Sequence, residues 1–300
     1  MSGNSVQDFP AASSDGDGDA RADACRPMAV ASSAEQLPPY AGYQSAFHCA
    51  FRLELRCMLA DVFRAGVGSA LDVACGDGTY ACWLRELFGA ATLVVAVDAN
   101  LTWLQTSRQR RRKSRRIRQV SADAARLPFE DDSFGAVWCA QSLCSLPDAM
   151  AALKEMHRVT APGGTAAVLE NDSLHELMLP WPPELELAVR EAELTAFRRR
   201  SAETGKYYAA RFLPQAFQSA GFRSCELKTY ALNRTWPLES SVQEFLYGYL
   251  AQLRSRIEPY LSNRVLATFD RCLSPAEPTC LFRLPGFSLT CLNHVAFASK

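Results

Sequence analysis

Leu71-Asp72-Val73-Ala74-Cys75-Gly76-Asp77-Gly78-Thr79-Tyr80-Ala81 decides how this chain is read. Ser69 to Ala74 has the composition of a short buried strand, and Tyr80 to Phe88 puts Ala81, Leu84 and Leu87/Phe88 on one side of a helix. Between the two, Gly76 and Gly78 let the backbone approach a ligand closely. The first N–H groups of the helix point at the same spot. A strand, a glycine turn and a helix in that order make a nucleotide-binding unit.

The spacing alone does not say which nucleotide. Gly76-x-Gly78-x-x-Ala81 also fits the dinucleotide fingerprint, with Asp98 about 20 residues on, in the place of a ribose-binding acid. Charge separates the cases. Asp72 ends the strand, Asp77 sits in the turn, and Asp98 and Asp123 follow at later strand ends. A pyrophosphate dianion is repelled by an aspartate in its cradle. S-adenosylmethionine carries a sulfonium and an ammonium against one carboxylate, and acids around the cleft suit it.

Four pieces in order carry a family resemblance: Leu71 to Gly78; Val97-Asp98; Ala122-Asp123-Ala124-Ala125-Arg126-Leu127-Pro128-Phe129 with Asp132-Ser133-Phe134; and Arg158-Val159 with Pro162-Gly163-Gly164. With them the block from Leu71 to about Asp172 resembles the class I S-adenosylmethionine-dependent methyltransferases, within the subgroup that holds the ubiquinone- and menaquinone-pathway enzymes. Glycine is commoner where Ala74 stands. The resemblance implies an α/β, doubly wound, Rossmann-like sheet of seven strands in the order 3-2-1-4-5-7-6, the last antiparallel, with helical cap insertions. It implies S-adenosyl-L-methionine as cofactor and no metal. Cofactor contacts are expected from Asp72, Ala74, Gly76, Gly78, Asp98, Ala99, Asp123, Ala124 and Gln141. Asp98 would accept from the ribose hydroxyls and Asp123 from the adenine amino group. The Asn/Asp-Pro-Pro-aromatic motif of adenine- and glutamine-directed methyltransferases is missing where Gln141-Ser142 follows strand four, which disfavours those acceptors.

Composition narrows the class further. The formal net charge is zero, so the chain has no general bias toward nucleic acid or acidic membranes. Its 11 cysteines are scattered, with no Cys-x-x-Cys pair and no histidine cluster, which argues against zinc or a disulfide framework and for reduced cytoplasmic thiols. No run of about 18 apolar residues spans a membrane, and the N-terminus lacks a secretory pattern.

Residues 1–36 are rich in Ala, Ser, Asp and Gly and read as a disordered tail. Residues 37–300 read as one methyltransferase domain. Its additions are an N-terminal cap helix (37–66) and helical insertions at 174–211 and 238–285. Phe47, Phe51, Leu55, Met58/Leu59 and Val62 put one apolar face on a single helix from Gln44 to Arg64. The expected strands are Thr92–Val97, Ile117–Ser121, Phe134–Ala140, Thr165–Glu170, Phe222–Leu232 and Phe287–Ala298. Ligands in such sheets bind at the carboxyl ends of the strands, so at least the first two additions are expected over that end. The block from Arg108 to Arg116 reads as a solvated helix end, where cations suit the dipole.

The expected reaction is methyl transfer to oxygen or nitrogen of a small, largely apolar molecule, as in secondary metabolism. Tyr40, Tyr43 and Asp172 are the candidate substrate contacts. Phe47, Trp181, Tyr207, Tyr208 and Trp236 are further aromatics for such a site. A base is sought among four histidines. His157 and His294 belong to core elements. His175 follows strand five by a few residues and leads, with His48 second. Two rival readings remain open. A NAD(P)-dependent Rossmann oxidoreductase would share the glycine turn, against Asp77 and Asp123. An RNA or protein methyltransferase would use the basic block, against the zero net charge.

Overall fold

The computed structural model describes residues 41–64, 66–110, 117–172, 176–200 and 209–300, with the side chains of 108–110 and 200 left aside. The expectations for the tail, Tyr40, Arg111 to Arg116, His175, Tyr207 and Tyr208 lie outside the described residues.

Five parallel strands form the body of one sheet: β1 (Ser69–Val73), β2 (Leu93–Asp98), β3 (Ile117–Ser121), β4 (Phe134–Ala140) and β5 (Thr160–Glu170). A short β6 (Leu177–Met178) and the longer β7 (Glu226–Thr235) and β8 (Ser288–Ser299) complete it. The order is β3-β2-β1-β4-β5-β8, with β6 and β7 also paired to β8. β8 runs antiparallel to β5, β6 and β7. The expected order therefore stands, with one strand added. β5 pairs with β8 from Ser299 to His294, and β6 takes up Cys291 and Thr290 further along. A two-residue strand is too short to leave a period in the sequence.

The residues of β1 and β4 divide between two cores. Ala70, Ala136 and Trp138 join the core on one face, and Leu71, Val73, Val137 and Cys139 the core on the other. Trp138 is fully buried and meets Phe63 and Tyr80 at ring distances of 5.9 and 5.4 Å. Burial of each such side chain is worth about 1.5–3 kcal/mol. Arg158, near the end of α5 (Ala149–Val159), donates to the carbonyls of Leu127 and Phe129 and to Glu155 and Asp131. It ties the loop after β3 to the helix before β5, so two of the four motif pieces hold each other in place.

The remaining helices flank the sheet: α1 (Ala41–Ala50), α2 (Arg52–Val62), α3 (Thr79–Phe88), α4 (Leu101–Arg110), α6 (Pro183–Arg200), α7 (Ala209–Ala220), α8 (Ser240–Ile257) and α9 (Asn263–Leu273). The cap helix expected as one piece is broken at Phe51, whose φ of −119° and ψ of 23° are not helical. Arg234 of β7 explains the break. Its guanidinium lies 4.5 Å from the centre of the Phe51 ring and donates to the Ala50 carbonyl at 2.5 Å and to Glu54 at 2.6 Å. A carbonyl taken by an arginine is held out of the helical ladder.

α1 packs on α8 through Phe47–Phe245 and Tyr43–Tyr249 ring contacts of 5.2 and 5.5 Å. Gly248 lets the two helices close up: a Cβ there would lie 3.0 Å from the Tyr43 Cβ. Alanine adds about 1 kcal/mol of helix propensity over glycine, while overpacking costs about 1–3 kcal/mol. Gly248→Ala should therefore lower the melting temperature, and a higher melting temperature would show that α1 and α8 are not closely apposed.

Candidate functional site

Two chambers open side by side at the carboxyl ends of the strands. The first is a cleft of about 830 Å³. The turn after β1 gives it Asp72, Ala74, Cys75, Gly76 and Asp77; the end of β2 and the start of α4 give Asp98, Asn100 and Trp103. Gln141 and Ser142 after β4 form another wall, and Gln44 and His48 of α1 close it from above.

Hydrogen bonds between the β1 and β2 ends shape the turn. Cys75 N–H donates to the Val97 carbonyl at 2.9 Å, and Gly76 N–H to Asp98 Oδ2 at 2.9 Å. The other Asp98 oxygen accepts from Asn100 N–H at 2.8 Å. Burial raises the Asp98 carboxyl above its usual range despite these bonds. Asp72 is buried; the loss of water pushes its carboxyl well up, an Ala81 N–H pulls the other way, and Asp98 and Asp77 add repulsion. Its Oδ2 has no partner among the described residues. Gly76, with φ at +52°, has open space where a side chain would stand. Ala74 (φ 53°) and Gln141 (φ 50°) hold left-handed backbone without being glycine, a strain of about 1–2 kcal/mol for an L-residue.

These features fit a cationic nucleoside. Three carboxylates line the cleft, and no lysine or arginine does so among the described residues. A sulfonium and an ammonium find counter-charge there, and a pyrophosphate finds none. The glycine turn would hold the amino-acid end beside Asp72, and Asp98 has unused lone pairs for a ribose.

The second chamber, of about 970 Å³, shares Gln44, Gln141 and Ser145 with the first. Tyr43, Phe47 and Phe245 form an aromatic side, and Glu170, Asn171, Glu176 and Arg256 a polar one. Glu170 ends β5 and is buried. Leu143 N–H donates to its Oε1 at 2.6 Å, with further backbone bonds from Cys144 and Ser142. Burial nonetheless pushes its carboxyl up to about 7. Arg256 donates to Glu193 at 3.0 Å, and Arg190 shares the same carboxylate at 3.0 Å.

The structure brings together Asp72, Ala74, Gly76, Asp98, Gln141 and His48 in the first chamber and Tyr43 in the second. It leaves out others. Gly78 has φ at +76°, but a Cβ there would run into Ser107 Oγ of α4; its freedom serves helix packing rather than the ligand. Asp123 is exposed and spends Oδ1 on Ala125 N–H at 2.9 Å, so its loop holds itself. Ala99 and Ala124 do not line the cleft, Ala124 being buried in the core. Asp172 pairs with Arg211 of α7 instead of facing a ligand. Trp181 is buried against Phe269 at 5.4 Å, and Trp236 lies on the surface. His157 packs on Phe222 at 4.7 Å, and His294 shares a 2.9 Å hydrogen bond with Thr229. Glu170 matches no motif of the chain, although an acid closing an apolar strand at its carboxyl end is a usable signal. Glu176, Phe245 and Arg256 sit in added segments that no motif marks.

Glu170 gives a pH-dependent signature. The folded chain holds this proton to about pH 7, and the usual carboxyl value is 4.5. Between those values the folded state binds more protons than the unfolded one, so stability contributed by this group falls as pH rises through the window. Glu170→Gln keeps an acceptor for Leu143 N–H and carries no charge. Urea unfolding at pH 5 and pH 8 should show the variant gaining on the native chain by on the order of 1–3 kcal/mol at the higher pH. A difference that does not move with pH would mean that Glu170 ionises normally.

With the geometry in hand, comparison with known proteins adds the following. Residues 71–168 match the family described as a methyltransferase domain. A demethylmenaquinone methyltransferase of Staphylococcus epidermidis is 40% identical over 101 residues, which are 34% of this chain and 42% of that protein. One from Staphylococcus aureus is 38% identical over the same length, again 34% and 42%. The chain thus spans less than half the length of the curated relatives it matches. The solved YcgJ structure of Bacillus subtilis aligns over 83% of this chain and 98% of its own, at a TM-score of 0.53 and 15% identity, a likeness of fold. A protein of Anabaena variabilis aligns over 83% and 97%, at 0.53 and 14%. The matched block holds the turn, the three acids and Gln141 of the first chamber, and over residues 71–168 the chain is similar to a methyltransferase domain.

Proposed function

We propose that this protein moves the methyl group of S-adenosylmethionine onto oxygen or nitrogen of a small molecule with a largely apolar body. The observation that carries the reading is a first chamber lined by three acids, with no lysine or arginine among the described residues, that shares Gln44, Gln141 and Ser145 with a second chamber lined in part by aromatic rings. When bound, the cofactor supplies a methyl group already activated by its positive sulfur. The chain then mainly has to hold the acceptor in line and keep water away. Asp72, Gly76 and Asp98 would hold the cofactor. Gln44, Gln141 and Ser145, common to both chambers, would border the transfer point. α1, tied down by Arg234 and α8, would serve as the cover.

His48 is the described residue offered as proton acceptor. It is buried on α1, lines the first chamber, and has the Tyr80 and Trp83 rings edge-on at 5.2 and 5.7 Å. His175 shares the proposal from its place after β5, outside the described residues. Nucleic acid and membrane are not among the proposed partners. No described helix is long and apolar enough to cross a membrane.

Asp98→Ala removes a charged acceptor whose bonds are worth about 1.5–3 kcal/mol each. Calorimetry with S-adenosylhomocysteine should show affinity falling at least tenfold, a factor that 1.4 kcal/mol already supplies. Unchanged affinity would remove Asp98 from the cofactor site, and tight NADH binding by the native protein would favour the oxidoreductase reading. For the base, His48→Ala should lower turnover about 10²–10⁴-fold with cofactor affinity unchanged. A loss under threefold would mean that alignment alone carries the step.

A further inference from the structure

The second chamber is lined by both charged and aromatic residues, and the balance of its charges selects a ligand. Glu170 and Glu176 face it as acids, against the single guanidinium of Arg256. That guanidinium is already engaged by Glu193 at 3.0 Å, a buried carboxylate that Arg190 also holds. Glu176 lies within the field of Arg256 and shares a hydrogen bond with Asn171. Glu170 has only backbone N–H groups and the Cys144 thiol around its carboxylate, and no ion pair among the described residues. Among the described residues the chamber therefore carries one acid in excess, and that acid is buried. Tyr43, Phe47 and Phe245 line the same chamber, the last two with ring centres 5.2 Å apart.

A buried carboxylate without a cation is costly to ionise, and a ligand that brings the cation offsets the cost. A carboxylate offers about four lone-pair sites. The backbone amides of residues 142–144 and the Cys144 thiol already supply four donors, and the thiol, the weakest of them, is the one that a charge-assisted bond from a primary or secondary ammonium would displace. An acidic ligand would need Arg256, which Glu193 and Glu176 already balance. An alcohol would leave the Glu170 charge uncompensated. The aromatic side asks for an apolar body, and it also offers ring faces to a cation.

We propose that the second chamber binds small amines: an aromatic or otherwise apolar body packed between Tyr43, Phe47 and Phe245, with its ammonium held by Glu170 and Glu176. This rests on reading the first chamber as the cofactor site, and it narrows the acceptor from oxygen or nitrogen to an amine. Its ammonium would pass one proton to the Glu170 carboxylate, so that the freed nitrogen lone pair can take the methyl group as the sulfonium leaves as a neutral thioether.

The test is binding rather than turnover. Benzylamine, phenethylamine and tryptamine, each with its alcohol and carboxylate counterpart, are titrated by calorimetry into the native chain, with and without S-adenosylhomocysteine. The expected result is that at least one amine binds ten times or more tightly than both of its counterparts. Glu170→Gln should reduce that preference to under threefold while its affinity for S-adenosylhomocysteine stays within twofold of native. Equal binding of the three classes, preference for the carboxylates, or no detectable binding of any of them would overturn the inference. A preference that survives in Glu170→Gln would also overturn the role given to that residue. Amine binding by a chain that does not bind S-adenosylhomocysteine would leave the chamber as assigned and sink the methyltransferase reading instead.

Discussion

The structure turns on a surplus of carboxylates at the carboxyl ends of its strands. Asp72, Asp77 and Asp98 meet around one glycine turn, and Glu170 closes β5, two strands along from β1. Buried acids with no cations beside them raise the free energy of a fold. The sheet tolerates them because the backbone helps: Gly76, Asn100, Ala81 and Leu143 all point N–H groups at these oxygens. Two apolar layers supply the stability that this arrangement costs. On the proposed function, the result would be a site suited to ligands that carry positive charge inward, with hydrogen bonds already set in place before they arrive.

Most of the sheet could be read from the chain. Strands buried on both faces show as apolar runs such as Leu93 to Val97, and each ends in a residue whose chemistry is visible. The first chamber was legible for the same reason, since its residues sit within a few positions of strand ends. Local signals failed where a distant residue intervened. Phe51 has the right spacing for a continuous helix, and only Arg234, more than 180 positions away, breaks it. Gly78 reads like a ligand-facing glycine until α4 is seen to press Ser107 against it. Asp172 sits beside the strand end that bears a site, yet Arg211 captures it. The second chamber was the least legible. Tyr43, Glu170, Glu176, Phe245 and Arg256 come from four separate stretches of chain, and what joins them is the crossing of α1 over α8.

That crossing divides the labour of the molecule unevenly. The segment between β7 and β8 contributes Phe245 and Arg256 to the second chamber and nothing to the first. On the proposed function, the cofactor half is written into the sheet and its turns, where a change disturbs the core. The acceptor half is written partly into an inserted helix held between two strands, and its inward face can be altered with β1 to β5 left as they are. Such a layout lets a lineage exchange one chemical appetite for another while inheriting the same methyl donor.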